Sequence, residues 1–264
     1  MSLPKISVIC PTYNRAQKVV RAIESLVSQK SKDWELIVVD DGSKDDTESR
    51  IREFLPSDNI KYYKLEKNCG VCAARNYGIT KALGEWIFLL DSDCALLDGS
   101  MKTLNEIIER NPDVSFHKFS VQTFDRKIIG KELKTTLRVE SNQFLKGMIK
   151  GEYTPCVRKE LLVRHPFVEC INGGEGIIWN SIVLDLGFLL YHPIVIILYD
   201  DQGDDRLSMR SKNYNRLYSV FTQDLKIHWL NYLKFAPVRL FLCMFKWIVY
   251  FCLSKFNHST INSS

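Results

Sequence analysis

The sequence predicts an α/β fold with a mostly parallel central sheet and flanking helices, followed by C-terminal amphipathic helices. Three apolar runs, at 6–10, 35–39 and 86–90, are continuous rather than alternating, which is typical of strands buried on both faces. After the first run, apolar residues recur at helical spacing through 19–27. Strands that alternate with helices favour parallel pairing, because each helix returns the chain across the sheet.

The remaining predicted elements continue this alternation. Ser43, followed by three acids within five positions, is typical of a helix N-cap and an acidic first turn. Gly187 is typical of a residue that ends a helix. Pro193 interrupts the strand predicted after this glycine. Further strands are predicted at 60–65, 116–123 and 189–199, and further helices at 71–83, 100–110, 142–149 and 175–186.

The region 208–264 differs in character from the rest of the chain. Apolar residues four apart through 217–233 predict an amphipathic helix, and Pro237 then breaks or kinks the chain. The stretch 240–253 has one charge, Lys246, and is short for a membrane span of about 20 residues. Aromatic and basic residues recur together here, which favours a helix lying on a membrane surface. The alternative is a helix packed on the preceding domain.

The net charge of +5 over 264 residues is unevenly distributed. Residues 206–264 contain nine basic residues and one acid, Asp224, whereas 1–205 contain 27 basic and 30 acidic residues. Because the basic residues lie among aromatic and aliphatic ones, a membrane surface is favoured and no nucleic-acid partner is predicted. With no signal peptide before the first strand, we expect a cytoplasmic protein whose eight cysteines stay reduced.

Carboxylates directly follow two of the three buried strands. The Asp-Ser-Asp triplet 91–93 closes the run 86–90, and Asp40 and Asp41 close the run 35–39. The carboxyl ends of parallel strands form one edge of a sheet, where ligands bind. Charged groups there need a partner, and carboxylate oxygens suit Mg²⁺ or Mn²⁺. The alternative is an ordinary Asp-rich turn.

Four motifs in order resemble family 2 glycosyltransferases with the GT-A fold. They are 6–15 (ISVICPTYNR), 36–43 (LIVVDDGS), 68–78 (NCGVCAARNYG) and 88–93 (FLLDSD). The resemblance implies transfer of a sugar, with inversion, from a nucleotide-diphosphate donor to a hydroxyl of an acceptor. It implies a GT-A domain over 1–207, made of a nucleotide-sugar half, 1–110, and an acceptor half, 111–207.

The resemblance also implies roles for individual donor-site residues. Thr12 and Tyr13 would frame the base, and Asp41 would accept a hydrogen bond from it, which favours uracil or thymine. Asp40 and Asp41 could instead cap the following helix. Arg75 would lie near the diphosphate or brace the acids. The implied donor-binding residues are Pro11, Thr12, Tyr13, Arg15, Asp40, Asp41, Arg75, Asp91 and Ser92.

The chemistry would depend on three acids. Asp93 and Asp91 would bind a divalent cation, Mn²⁺ or Mg²⁺, that neutralises the leaving diphosphate. The family usually carries an acidic pair at a helix start in the second half, where this chain has Glu175 followed by Gly176. Glu175 is therefore the predicted base for the acceptor hydroxyl. The alternative is that it only complements the helix N-terminus.

The acidic loop 200–206 is predicted to be a lid over the donor, formed by Asp204, Asp205 and Arg206. The alternative is a solvated turn.

The sequence thus predicts a metal-dependent transferase, peripheral on the inner face of a bacterial cell membrane, in surface polysaccharide synthesis. Its expected acceptor is a saccharide or lipid-linked glycan. The alternative is an inactive nucleotide-sugar-binding subunit. No G-x-G-x-x-G follows the first strand, which excludes a dinucleotide oxidoreductase.

Overall fold

The strands form one mixed sheet in the computed structural model, which describes residues 3–169, 171, 174–201 and 213–261. Continuous apolar sequences such as that of the first strand are buried along their whole length. The strands are β1 (Ile6–Thr12), β2 (Trp34–Asp40), β3 (Ile60–Lys64), β4 (Trp86–Leu89), β5 (Cys94–Leu96), β6 (Phe116–Thr123), β7 (Leu137–Glu140), β8 (Tyr153–Arg158) and β9 (Phe188–Tyr199).

The sheet has two halves that differ in pairing. Its order is β3-β2-β1-β4-β8-β6-β9-β5, and β7 pairs with β9. The first four strands in this order are parallel to one another, which aligns the carboxyl ends of β2, β1 and β4. Beyond them, β8 runs antiparallel to β4 and to β6, and β9 runs parallel to β6. The continuous apolar runs of β1, β2 and β4 therefore lie in the parallel part of the sheet, as the sequence predicts.

Helices cover both faces of the sheet and enclose a core on each face. In α1 the apolar residues at helical spacing form the buried side, as the sequence predicts. The helices are α1 (Ala16–Val27), α2 (Thr47–Arg52), α3 (Val71–Lys81), α4 (Ser100–Arg110), α5 (Ser141–Leu145), α6 (Lys159–Arg164), α7 (Glu175–Leu186), α8 (Tyr214–Phe235) and α9 (Pro237–Ile261).

Several predicted boundaries need correction. Ser43 does not cap a helix, because α2 begins only at Thr47 and the Ser43 hydroxyl accepts the backbone N–H of Asn14 instead. Helix α5 ends at Leu145, since Gly147 adopts a positive φ of 69°. The interruption at Pro193 is a bulge in β9, where the partners of β6 shift from His192 to Val195. The short elements β5, β7, β8 and α6 are not predicted from sequence.

The two C-terminal helices form an antiparallel hairpin. Pro237 starts α9 directly after α8, so the predicted break at this proline is confirmed. Tyr218 contacts Trp247, and Tyr214, near the start of α8, contacts Tyr250. The Trp247 indole N–H also donates to the Thr222 hydroxyl over 2.8 Å. The α8–α9 hairpin is therefore held together by aromatic contacts.

Candidate active site

The acidic end of β4 contains two carboxylates in different surroundings. The Asp91 side chain is 44% exposed, whereas that of Asp93 is 9% exposed. The Arg15 guanidinium donates to Asp93 over 3.0 Å and to the Ser92 hydroxyl over 3.4 Å. Burial and the Asp91 charge raise the pKa of Asp93, although Arg15 opposes the shift. Arg15 is thus a member of this site and not only a surface charge.

Arg75 connects this strand end to the second half of the chain. It extends from α3, is buried, and donates to Asp91 over 2.7 Å and to Glu175 over 2.8 Å. Burial alone would lower the pKa of Arg75, but the two carboxylates hold it above its usual value. Its guanidinium also lies 5.4 Å from the ring centroid of Phe167. Arg75 braces the two acids, which is one of its two predicted roles.

Glu175 and Gly176 form the first turn of α7. Gly174 precedes them with a positive φ of 83°, which turns the chain into the helix. The Glu175 side chain is 35% exposed and faces Arg75. A Cβ built at Gly176 would meet no atom of the described residues within 4 Å. A second carboxylate would therefore fit at position 176, although this chain lacks one.

Asp40 and Asp41 both accept hydrogen bonds from neighbouring protein groups. Asp40 accepts the backbone N–H of Ser43 over 2.7 Å and the Tyr62 hydroxyl over 2.8 Å. Asp41 accepts the backbone N–H groups of Cys69 and Gly70 over 2.7 and 2.8 Å. Burial raises the pKa of Asp41 despite these two donors. Both acids therefore shape the loops at this edge, and a contact of Asp41 with the base stays a prediction.

The end of β1 contributes Pro11, Thr12 and Tyr13. Pro11 and Thr12 are buried and Tyr13 is half-buried. The Thr12 hydroxyl is buried without a hydrogen-bond partner among the described residues. Buried hydroxyl groups are nearly always hydrogen-bonded, so a water molecule or a bound ligand is the expected partner of this oxygen.

Sequence reasoning missed the pair of Arg21 and Asp200. Arg21, on α1, donates to the Asp200 carboxylate over 3.0 Å. The Asp200 N–H donates to the backbone carbonyl of Asp93 over 3.0 Å, next to the pairing of β5 with β9. No motif marks Arg21, because the contact depends on a strand pairing between residues about 100 positions apart. The predicted lid residues Asp204, Asp205 and Arg206 lie outside the described residues.

Two carboxylates at this site suit a divalent cation shared with a substrate. The described residues contain no cluster of three or more His, Cys, Asp or Glu side chains that could hold a metal alone. Mg²⁺ is commonly held by one or two carboxylates together with substrate phosphates and water. Burial and the Asp91 charge both raise the pKa of Asp93, and a bound cation would act against both effects. Asp91 and Asp93 therefore fit the predicted cation.

Residues 7–162 match the sequence profile of Glycosyl transferase family 2. The chain belongs to this family. It is 30% identical over 230 residues to the GalNAc(5)-diNAcBac-PP-undecaprenol beta-1,3-glucosyltransferase of Campylobacter jejuni, covering 85% of this chain and 74% of that protein. Several further curated relatives are matched over about a fifth of their own length.

Solved structures of other proteins share the fold. Staphylococcus aureus TarS 1–349 in complex with UDP-GlcNAc superposes with a TM-score of 0.71 and 20% identity, over 84% of this chain and 67% of that chain. The Pyrobaculum calidifontis mannosyltransferase PcManGT, in complex with GDP-Man and Mn²⁺, gives a TM-score of 0.62 and 18% identity, over 93% and 74% of the two chains. The predicted GT-A fold is thereby confirmed.

Proposed function

We propose that this family 2 glycosyltransferase moves a sugar, with inversion, from a UDP- or dTDP-sugar to a hydroxyl of a saccharide or lipid-linked acceptor. The pathway proposed is bacterial surface polysaccharide synthesis. The observation that carries the proposal is the chain of charges at the carboxyl edge of the sheet. Arg15 contacts Asp93, while Arg75 joins Asp91 to Glu175 across the two halves. The Campylobacter relative, named for a lipid-linked substrate, supports this acceptor class.

The donor base would lie over the ends of β1 and β2. The unpartnered Thr12 hydroxyl is the group that most needs a ligand there. Each Asp41 oxygen accepts one backbone N–H and keeps a second lone pair for a base N–H. Uracil and thymine offer such an N–H, whereas cytosine does not. The UDP-GlcNAc complex of TarS, which shares this fold, supports a uridine donor.

Replacing Thr12 by valine is expected to weaken UDP binding about tenfold, the cost of one lost hydrogen bond. The melting temperature should stay unchanged or rise, since no described protein group uses this hydroxyl. Thr123→Val is the matched control, because the Thr123 hydroxyl accepts the Lys127 N–H. It should lower stability and leave UDP binding unchanged. Titration calorimetry with UDP, dTDP, GDP and CDP measures nucleotide binding, and thermal unfolding measures stability. Selective GDP binding would refute the assignment of the base.

The diphosphate would lie between β4 and the start of α3. Asp91 and Asp93 would hold Mn²⁺ or Mg²⁺, which neutralises charge on the leaving diphosphate when bound. Arg15 and Arg75 each form an ion pair with one of these two carboxylates and hold it in place. Arg75 also presents a buried Nε that has no partner in the described residues. The guanidinium groups thus organise the acids before the donor arrives.

Glu175 is the proposed base for the acceptor hydroxyl. Its ion pair with Arg75 fixes the position of its carboxylate, and its partial exposure at the helix start leaves it accessible to an acceptor. The proton of the acceptor hydroxyl would pass to a Glu175 oxygen as the hydroxyl attacks the sugar. Because Arg75 also contacts Asp91, the base and the diphosphate site are held at a fixed separation.

A second candidate function is a nucleotide-sugar-binding subunit without turnover. Gly176, with no side chain where a second acid would fit, favours it. Incubation of the purified protein with UDP- and dTDP-sugars and a lipid-linked saccharide acceptor separates the two functions. Release of nucleoside diphosphate that depends on acceptor supports the transferase. Tight donor binding without release supports the binding subunit.

The proposed membrane contact is the exposed face of the α8–α9 hairpin. Residues Pro237–Lys255 form a helix long and apolar enough to cross a membrane by length and composition, and only 11% of it is buried. Phe241 is 70% exposed and Phe245 is 58% exposed. Arg239 and Lys246 would be costly within a bilayer core, so we propose interfacial binding at the inner membrane face.

Replacing Phe241 and Phe245 together by serine is expected to weaken binding to vesicles of phosphatidylglycerol and phosphatidylcholine about tenfold or more, through lost apolar burial. Val163→Ser, at an equally exposed apolar residue on α6, is the control. Co-sedimentation measures the binding, and high salt should weaken it only in part. If the unaltered protein does not bind these vesicles, another surface covers the hairpin.

The boundary at 207–208 falls outside the described residues, so the two-region division stays a proposal.

A further inference from the structure

Asp224 is the one acid of the described C-terminal helices, and it is buried. Its carboxylate accepts the Tyr232 hydroxyl, with both oxygens 2.9 Å from the Tyr232 Oη. His228 Nδ1 lies 2.9 Å from Asp224 Oδ1. A buried carboxylate is unfavourable without hydrogen-bond partners, so Asp224 depends on these two side chains. Burial and the Asp224 charge in turn raise the pKa of Tyr232.

These side chains bind two adjacent residues of α7. Asn180 Nδ2 donates to the Tyr232 oxygen over 2.8 Å, and Ser181 Oγ lies 2.9 Å from His228 Nε2. Hydrogen bonds are directional, so they fix the rotation and register of a helix more tightly than apolar contacts do. We call this set the Asp224 network; it consists of Asn180, Ser181, Asp224, His228 and Tyr232.

The same two helices also meet at the start of α7. A Cβ built at Gly174 would lie 3.5 Å from a methyl carbon of Val220 on α8. Leu184, near the other end of α7, packs on the apolar cluster around Tyr232. Helix α8 therefore contacts α7 in its middle, through the Asp224 network, and near its C-terminal end, while Val220 lies close to Gly174, the residue directly before Glu175.

The order Ser181–His228–Asp224 is also that of a hydrolase triad, but its surroundings do not suit hydrolysis. Ser181 lies in the interior of α7, where the backbone N–H groups are used by helical hydrogen bonds. A triad needs free N–H donors beside the nucleophile to stabilise an oxyanion. His228 and Asp224 are also buried and face the helix interface.

We propose that the Asp224 network is a positioning device that couples the α8–α9 hairpin to the helix carrying Glu175. When the apolar face of the hairpin docks on an anionic lipid surface, the network holds α7 in the position that aims Glu175 at the acceptor. The coupling rests on the proposed function, because its benefit is to the acceptor hydroxyl. The partner that engages the hairpin is a membrane with anionic lipids, which matches the surrounding basic residues.

The test compares full-length Asp224→Asn with the unaltered protein. We expect kcat to fall about tenfold or more, since small misplacements of a base cost this much, while the UDP dissociation constant stays within twofold. Asp185→Asn is the matched control, because Asp185 lies on α7 but forms its ion pairs with Arg164 and His165 at the surface. Tyr232→Phe keeps the ring and removes one hydroxyl, so it serves as the milder variant if Asp224→Asn does not fold.

Hydrogen exchange gives a readout that does not need activity. Vesicles of phosphatidylglycerol and phosphatidylcholine should slow exchange of the first-turn amides of α7 in the unaltered protein and in Asp185→Asn. In Asp224→Asn the vesicles should still bind but no longer slow this exchange, and α4 should not respond in any variant. Equal slowing in Asp224→Asn, or none in the unaltered protein, would overturn the coupling. Absence of transfer with this exchange pattern intact would instead count against the proposed function.

Discussion

Replacing Asp93 by asparagine is expected to lower kcat by about 100- to 1,000-fold or more, roughly 3 kcal/mol and upward of lost transition-state stabilisation. Asp93 is buried at the end of β4, and the substitution removes the negative charge that Arg15 and a cation would both contact. Asparagine has nearly the same size, so the fold should persist. Steady-state kinetics and thermal unfolding measure the two consequences.

Metal removal gives a second measurement of the same site. EDTA should abolish turnover, and Mn²⁺ or Mg²⁺ should restore it in the unaltered protein but not in Asp93→Asn. Asp98→Asn is the matched control, because Asp98 is exposed and lies only five positions along the chain. It should behave like the unaltered protein in every assay. Full turnover in EDTA would refute the metal-dependent mechanism and leave Arg15 and Arg75 as the diphosphate ligands.

Glu175→Gln is expected to lower kcat by about two to four orders of magnitude, as for loss of a general base. Glutamine keeps the size of the side chain and can still accept from Arg75, which retains its bond to Asp91. Nucleotide affinity should therefore change little. Glu160→Gln makes the same change in the first turn of α6 and should leave kcat unaltered. Unchanged kcat in Glu175→Gln would place the base elsewhere, with Asp200 beside Asp93 as the next residue to replace.

Position 176 offers a rescue experiment. No described atom lies within 4 Å of a Cβ built at Gly176, so aspartate fits there, and a carboxylate in the first helical turn is favourable. Adding Gly176→Asp to Glu175→Gln is expected to restore part of the lost kcat. Gly176→Asn in the same background is the control, since it fills the space without a proton acceptor. Equal rescue by asparagine would show that packing of α7, and not acid–base chemistry, limits turnover.

The parallel part of the sheet was largely predictable because its sequence signals are local. Continuous apolar runs such as 6–10, each followed by a helical pattern, indicate buried strands, and parallel pairing then brings their polar ends to one edge. Thr12, Asp41 and Asp93 all lie at that edge. The end of α7 was predictable for the same reason, since Gly187 adopts the positive φ, 85°, that its position after the helix indicates. Strands β5 and β7 are too short to give a periodic signal, and the sequence of β8 (YTPCVR) mixes polar residues and a proline with few apolar ones.

Ion-pair partners and helix contacts were decided by the tertiary structure. The sequence shows that Arg75 and Glu175 are charged, but their 2.8 Å contact requires α3 and α7 to meet across 100 positions. The interpretation of Asp224 differs most between the sequence and the structure. By composition it is an isolated acid in a basic region, and by structure it is a buried acceptor between α8 and α7. The sequence alone determined the family, the parallel half and the acids at its edge, because backbone burial and strand ends follow local apolar patterns. Which charges neutralise one another was decided only by the fold, because desolvation and hydrogen-bond geometry depend on neighbours distant in the chain.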